Sequence, residues 1–70
     1  VSKRSLTIAG HRTSVSLEDP FWDALAEMAE VQKQSVAGVI AAIDHKRPVD
    51  RNLSAAIRIA VLEWFRSARG

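Results

Sequence analysis

Arg12-Thr13-Ser14-Val15-Ser16-Leu17-Glu18-Asp19-Pro20 decides the fold of this chain. Over its first six residues the side chains alternate, so Thr13, Val15 and Leu17 point one way and Arg12, Ser14 and Ser16 the other. That is a half-buried strand. Glu18-Asp19-Pro20 then opens a helix, with Asp19 as N-cap and Pro20 at the first helical position, where its missing N–H costs nothing. Upstream, Leu6 and Ile8 also alternate, but on the opposite parity. One unbroken strand cannot put both sets on one face, so a break or bulge is expected at Gly10.

Downstream the period changes. Phe21, Trp22, Leu25, Met28 and Ala29 recur at the spacing of one helical face, with Asp23, Glu27 and Glu30 on the other. A turn at Lys33-Gln34 follows, and Ser35 caps a second helix striped by Val36, Val39, Ile40 and Ile43. The polar, proline-containing run from Asp44 to Arg51 reads as a surface loop. Asn52 or Ser54 then caps a third helix, apolar over more than half its circumference through Leu53, Ile57, Ile59, Val61, Leu62, Trp64 and Phe65. The order is strand about 12–17, then helices about 20–32, 36–43 and 53–67, in a single domain covering 1–70. The fold class is therefore mainly α with one short strand.

Size and composition narrow the function. Seventy residues with 47% hydrophobic and 26% charged side chains make an ordinary small globular domain. No cysteine is present, and His11 and His45 lack ligand spacing, so neither a disulfide framework nor a structural metal is expected. The apolar runs are far too short to cross a bilayer, and no charged-then-apolar leader stands at the start, so a cytoplasmic setting is expected. Cores this small seldom supply more than about 3–5 kcal/mol alone, which makes oligomerisation the natural expectation. The net charge is only +2, yet Lys3, Arg4 and Arg12 all precede the first acid, Glu18. That local excess suits an anionic partner.

A lone strand needs partners for its backbone groups. It has two solutions. Leu6–Ala9 folds back as a hairpin through Gly10-His11, or the strand pairs antiparallel with its own symmetry mate in a homodimer. The second also relieves the small-core problem and is the favoured expectation. A solitary molecule with that edge already zipped to its own N-terminal residues would remove the basis for it and for the function that rests on it.

The strand RTSVSL, the helix entry EDP, the face FWDALAEMA and the Ser35-Val36 opening of the second helix resemble the ribbon-helix-helix family, which includes the phage Arc and methionine repressors. The phrase AGHRTSVSLEDPFWDAL is also similar to a variant found in small uncharacterised bacterial proteins. This resemblance implies an intertwined homodimer whose two-stranded ribbon enters the DNA major groove. The base-reading positions would be Arg12, Ser14 and Ser16, and Ser35 with the N–H groups of Val36 and Ala37 would clamp a phosphate. Lys3 and Arg4 would add phosphate or minor-groove contacts as a flexible arm. Val15, Leu17, Trp22, Leu25, Val39, Ile40, Trp64 and Phe65 would form the dimer core. Two departures stand out. Lys33-Gln34 replaces the family's glycine, predicting a longer or strained turn, and the second helix reads as cut short at Ile43.

The function expected is a sequence-specific, homodimeric transcriptional regulator acting on double-stranded DNA. The alternative is a module whose apolar third helix docks a partner protein or lines a pocket for a small ligand. An enzyme is not expected: Asp44-His45 lie in a polar loop, and no nucleophile elbow, phosphate loop or ligand motif occurs. No catalytic residue, cofactor or metal is assigned, and no membrane association is expected.

Overall fold

A computed structural model describes residues 1–68. Two strands, β1 (Ser2–Ile8) and β2 (His11–Leu17), precede three helices, α1 (Asp19–Gln32), α2 (Val36–Lys46) and α3 (Leu53–Ala68). The strand that reads as unpartnered has a partner in its own chain, so the hairpin, and not the favoured pairing with a symmetry mate, fills that edge. β1 and β2 form an antiparallel hairpin in which Leu6 faces Thr13 and Ile8 faces His11. The opposite parities of the two segments are thereby reconciled, because folding back over a two-residue turn puts Leu6 and Ile8 on the face of Thr13, Val15 and Leu17.

The turn is Ala9-Gly10 rather than Gly10-His11. Both of its central residues have positive φ, 51° and 83°, as a type I′ turn requires. Gly10 adopts this freely; Ala9 does not. Replacing Ala9 with asparagine is expected to stabilise the fold by about 1 kcal/mol, because Asn-Gly is the preferred type I′ pair. Thermal unfolding would then shift upward by roughly 4–8 °C.

The helix boundaries shift for local reasons. Glu18 rather than Asp19 is the N-cap of α1, and it makes no side-chain cap. Both carboxylates are engaged elsewhere: Asp19 accepts from the Ser2 hydroxyl, and Glu18 accepts from Nε and Nη2 of Arg58 on α3 at 3.0 and 3.2 Å. The Arg58 hydrogen bonds hold the Glu18 carboxyl below the ordinary glutamate range. A lowered folded pKa means that the pair contributes stability above about pH 4.3, the ordinary value, and loses it as pH falls through the folded value. Arg58→Ala should move the Glu18 titration, followed by NMR, up towards the ordinary range.

α1 ends at Lys33, which takes the left-handed conformation at φ 57°, while the Gln34 N–H bonds the Ala29 carbonyl at 2.9 Å. Lysine thus occupies the position where glycine is usual, so the turn is strained rather than longer. Lys33→Gly is expected to gain about 0.5–1 kcal/mol in a denaturant melt. Ser35 caps α2, its Oγ accepting from the Gly38 N–H at 3.0 Å. α2 then runs three residues past Ile43, to Lys46. Asp44, His45 and Lys46 are polar because they sit on a helix end, and Pro48 forces the break by disfavouring a helical Arg47, whose ψ is 131°. Asn52 caps α3 through its Oδ1 and the Ala55 N–H at 2.8 Å.

The core lies between the hairpin's inner face and all three helices. Ile8, Val15 and Leu17 of the hairpin meet Trp22, Leu25, Met28 and Ala29 of α1, Val39 and Ile40 of α2, and Ile57 and Val61 of α3. Trp22 pins the start of β1, its indole N–H donating to the Ser2 carbonyl at 2.9 Å.

Candidate nucleic-acid interface

The outer face of the hairpin is built by strand periodicity alone. Opposite-facing pairs alternate along the ladder, so Lys3–Ser16, Ser5–Ser14 and Thr7–Arg12 stand together on the side away from the core. All six are exposed. At about 3.4 Å per residue the three pairs span a ridge roughly 14 Å long. Lys3 marks one end and Arg12 the other. Between them the Ser5 and Ser14 hydroxyls lie 3.5 Å apart across the strands. Neither strand contains an acidic residue. The ridge is therefore cationic at both ends and hydroxyl-bearing between, with donors and acceptors aimed into solvent.

Arg12, Ser14 and Ser16 stand together on this ridge, and Lys3 joins them. Arg4 does not. It is not part of a flexible arm; it belongs to β1 and stacks its guanidinium on the Trp22 ring, 4.6 Å from the centroid. Pairing with β2 orders this segment, and the arginine faces the core side of the ribbon. Ser35 is exposed at the start of α2, its Oγ already engaged with Gly38, while the N–H groups of Val36 and Ala37 fall in the first turn, where no intrahelical acceptor exists. Ser5 and Thr7 are ridge residues that the strand pattern of Arg12–Leu17 does not reveal. The inverted parity of Leu6 and Ile8 was the signal for them.

Val15, Leu17, Trp22, Leu25, Val39 and Ile40 are all buried within one chain. Trp64 and Phe65 are half-buried and face different surroundings, Trp64 towards α2 and Phe65 towards Phe21 and Leu62. Leu62 remains 55% exposed. α3 thus keeps apolar surface that its own domain does not cover.

Hairpin, helix, helix and an outward polar ribbon meet a family model described as a ribbon-helix-helix domain, matched over residues 1–65. The chain belongs to the ribbon-helix-helix family. Such domains are generally DNA-binding transcription regulators and typically non-enzymatic. No curated protein and no solved structure matches the chain. Among the described residues no helix is long and apolar enough to cross a membrane. The fold is that of the family with a C-terminal helix added, and the added helix is part of the core rather than an appendage.

Proposed function

We propose that this protein is a transcriptional regulator that binds double-stranded DNA as a homodimer, with the outer face of its ribbon in the major groove. The observation that supports it best is the acid-free ridge of Lys3, Ser5, Thr7, Arg12, Ser14 and Ser16 on one face of the hairpin. Arg12 suits bidentate contact with guanine O6 and N7, and Ser14 and Ser16 suit short or water-bridged contacts. The N-terminus of α2, at Ser35, Val36 and Ala37, suits a backbone phosphate.

Family membership supports a dimer, and the hairpin changes what its ribbon would look like. A two-residue turn makes Ile8–His11 a hydrogen-bonded pair, so the backbone groups of Arg12 and Ser14 point away from β1. A symmetry-related β2 pairs antiparallel along this edge, giving the order β1-β2-β2-β1. The four strands measure about 14 Å between the outer two, against a groove about 12 Å wide. The central strands then carry Arg12, Ser14 and Ser16 to the bases, and the outer ones hold Lys3 near the phosphate walls. Half-exposed Phe65 and exposed Leu62 offer further apolar surface for a second copy.

Solution mass and a salt titration against mixed-sequence duplex test this together. A dimer whose affinity falls steeply with salt is expected, because each neutralised phosphate contributes a slope of about −0.9. Ser14→Pro removes an outward edge N–H and should halve the mass while leaving the hairpin's own ladder intact. A monomer that binds duplex weakly and without salt dependence would sink the proposal.

A further inference from the structure

A groove of about 480 Å³ runs between α2 and α3, with Met28 and Gln32 of α1 also lining it. It lies within the range of small-molecule sites. Met28, Val39, Ile43 and Trp64 give it apolar walls, while Lys46 and Arg51 stand exposed on its rim where α2 ends and α3 is about to begin. These two cations have no carboxylate within ion-pair distance among the described residues. Arg47, between them in sequence, is different. Its Nε donates to Asp44 at 2.9 Å and its Nη1 to the Arg51 carbonyl at 2.7 Å, so its charge is matched and it braces the loop that carries Arg51. Glu63 also lines the groove, more than two helical turns along α3 from Leu53, and makes no ion pair with either cation.

We infer that this groove binds an organic anion with an apolar body, an aliphatic or aromatic carboxylate, its head at Lys46 and Arg51 and its body along Ile43 and Trp64. An apolar channel with unmatched positive charge at one mouth selects that combination. A neutral hydrocarbon leaves both cations without a counter-charge, and a bare inorganic anion gains nothing from the walls. A concave site of this volume also suits a small molecule better than a flat protein partner. The inference stands apart from the DNA reading, because neither the site nor its test involves the ribbon.

Octanoate is the probe, with octanol as its uncharged counterpart, in calorimetric titrations of the full chain without DNA. Saturable one-to-one binding of octanoate is expected, with amide shifts centred on Ile43, Lys46 and Trp64. The double variant Lys46→Ala/Arg51→Ala, changed only at exposed positions, should weaken octanoate at least about tenfold and leave octanol unaltered. Ala60→Phe, which fills the groove, should abolish both. Absence of saturable binding overturns the inference. So does octanoate affinity indifferent to the two cations, or shifts at Leu62 and Phe65 instead. Shifts of Ile43, Lys46 and Trp64 that follow protein concentration without ligand would mean that a second copy covers this face, and that also overturns it.

Discussion

Ile57→Ala is expected to lower the thermal midpoint by roughly 12–24 °C. Ile57 is fully buried and sits on α3 where it meets the cluster formed by Val15, Leu17, Leu25 and Ile40. Removing three carbons from such a site costs about 2–5 kcal/mol, because the surroundings relax only partly around the cavity. At about 3 kcal/mol, and 4–8 °C per kcal/mol for a domain of this size, the stated shift follows. The same loss approaches the whole stability of so small a core. Partial unfolding at room temperature should therefore accompany it, visible as lost near-ultraviolet dichroism from Trp22 and Trp64. Leu62→Ser, on the outer side of the same helix, is the control and should change a monomer's stability by no more than about 0.5 kcal/mol. If Ile57→Ala melted within a few degrees of the parent, α3 would be an attachment rather than a third wall of the core.

What the sequence discloses about this fold divides along a physical line. Alternation over Arg12–Leu17 specifies the two faces of β2, and capping chemistry marks Ser35 and Asn52, because each depends only on residues within one turn or one strand. The partner of β2 was harder, since a period of two says which face a residue takes but not which chain lies alongside. The decisive hint was the parity reversal across Gly10, which a homodimeric strand leaves unexplained and a hairpin requires. Pairs distant in sequence were illegible for the same reason. Nothing near Glu18 announces Arg58, forty residues on, and nothing near Arg4 announces Trp22. Polarity masks the end of α2: Asp44-His45-Lys46 have the composition of a loop, but exposed helix ends are polar too, and only Pro48 sets a real boundary.

Finding β1 in cis changes how the interface should respond to mutation, and Arg12→Ala is where the effect is largest. Arg12 closes one end of the ridge opposite Thr7, with no acid on either strand to compete for its guanidinium. Loss of one bidentate base contact costs about 1–3 kcal/mol, and the proposed two-fold dimer would lose it twice. Affinity for the preferred operator is expected to fall between about thirtyfold and about ten-thousandfold, with dimer mass unchanged. Discrimination at the contacted guanine should disappear with it. Lys3→Ala, at the opposite end of the ridge, should behave otherwise. A phosphate contact carries no sequence information, so its removal weakens all duplexes alike and reduces the salt slope by about one per chain. The contrast between the two variants is the informative measurement. If Arg12→Ala weakened every sequence equally, the arginine would be gripping phosphate and base reading would fall to the serines. If neither variant altered binding, the ribbon's outer face would not be where DNA sits.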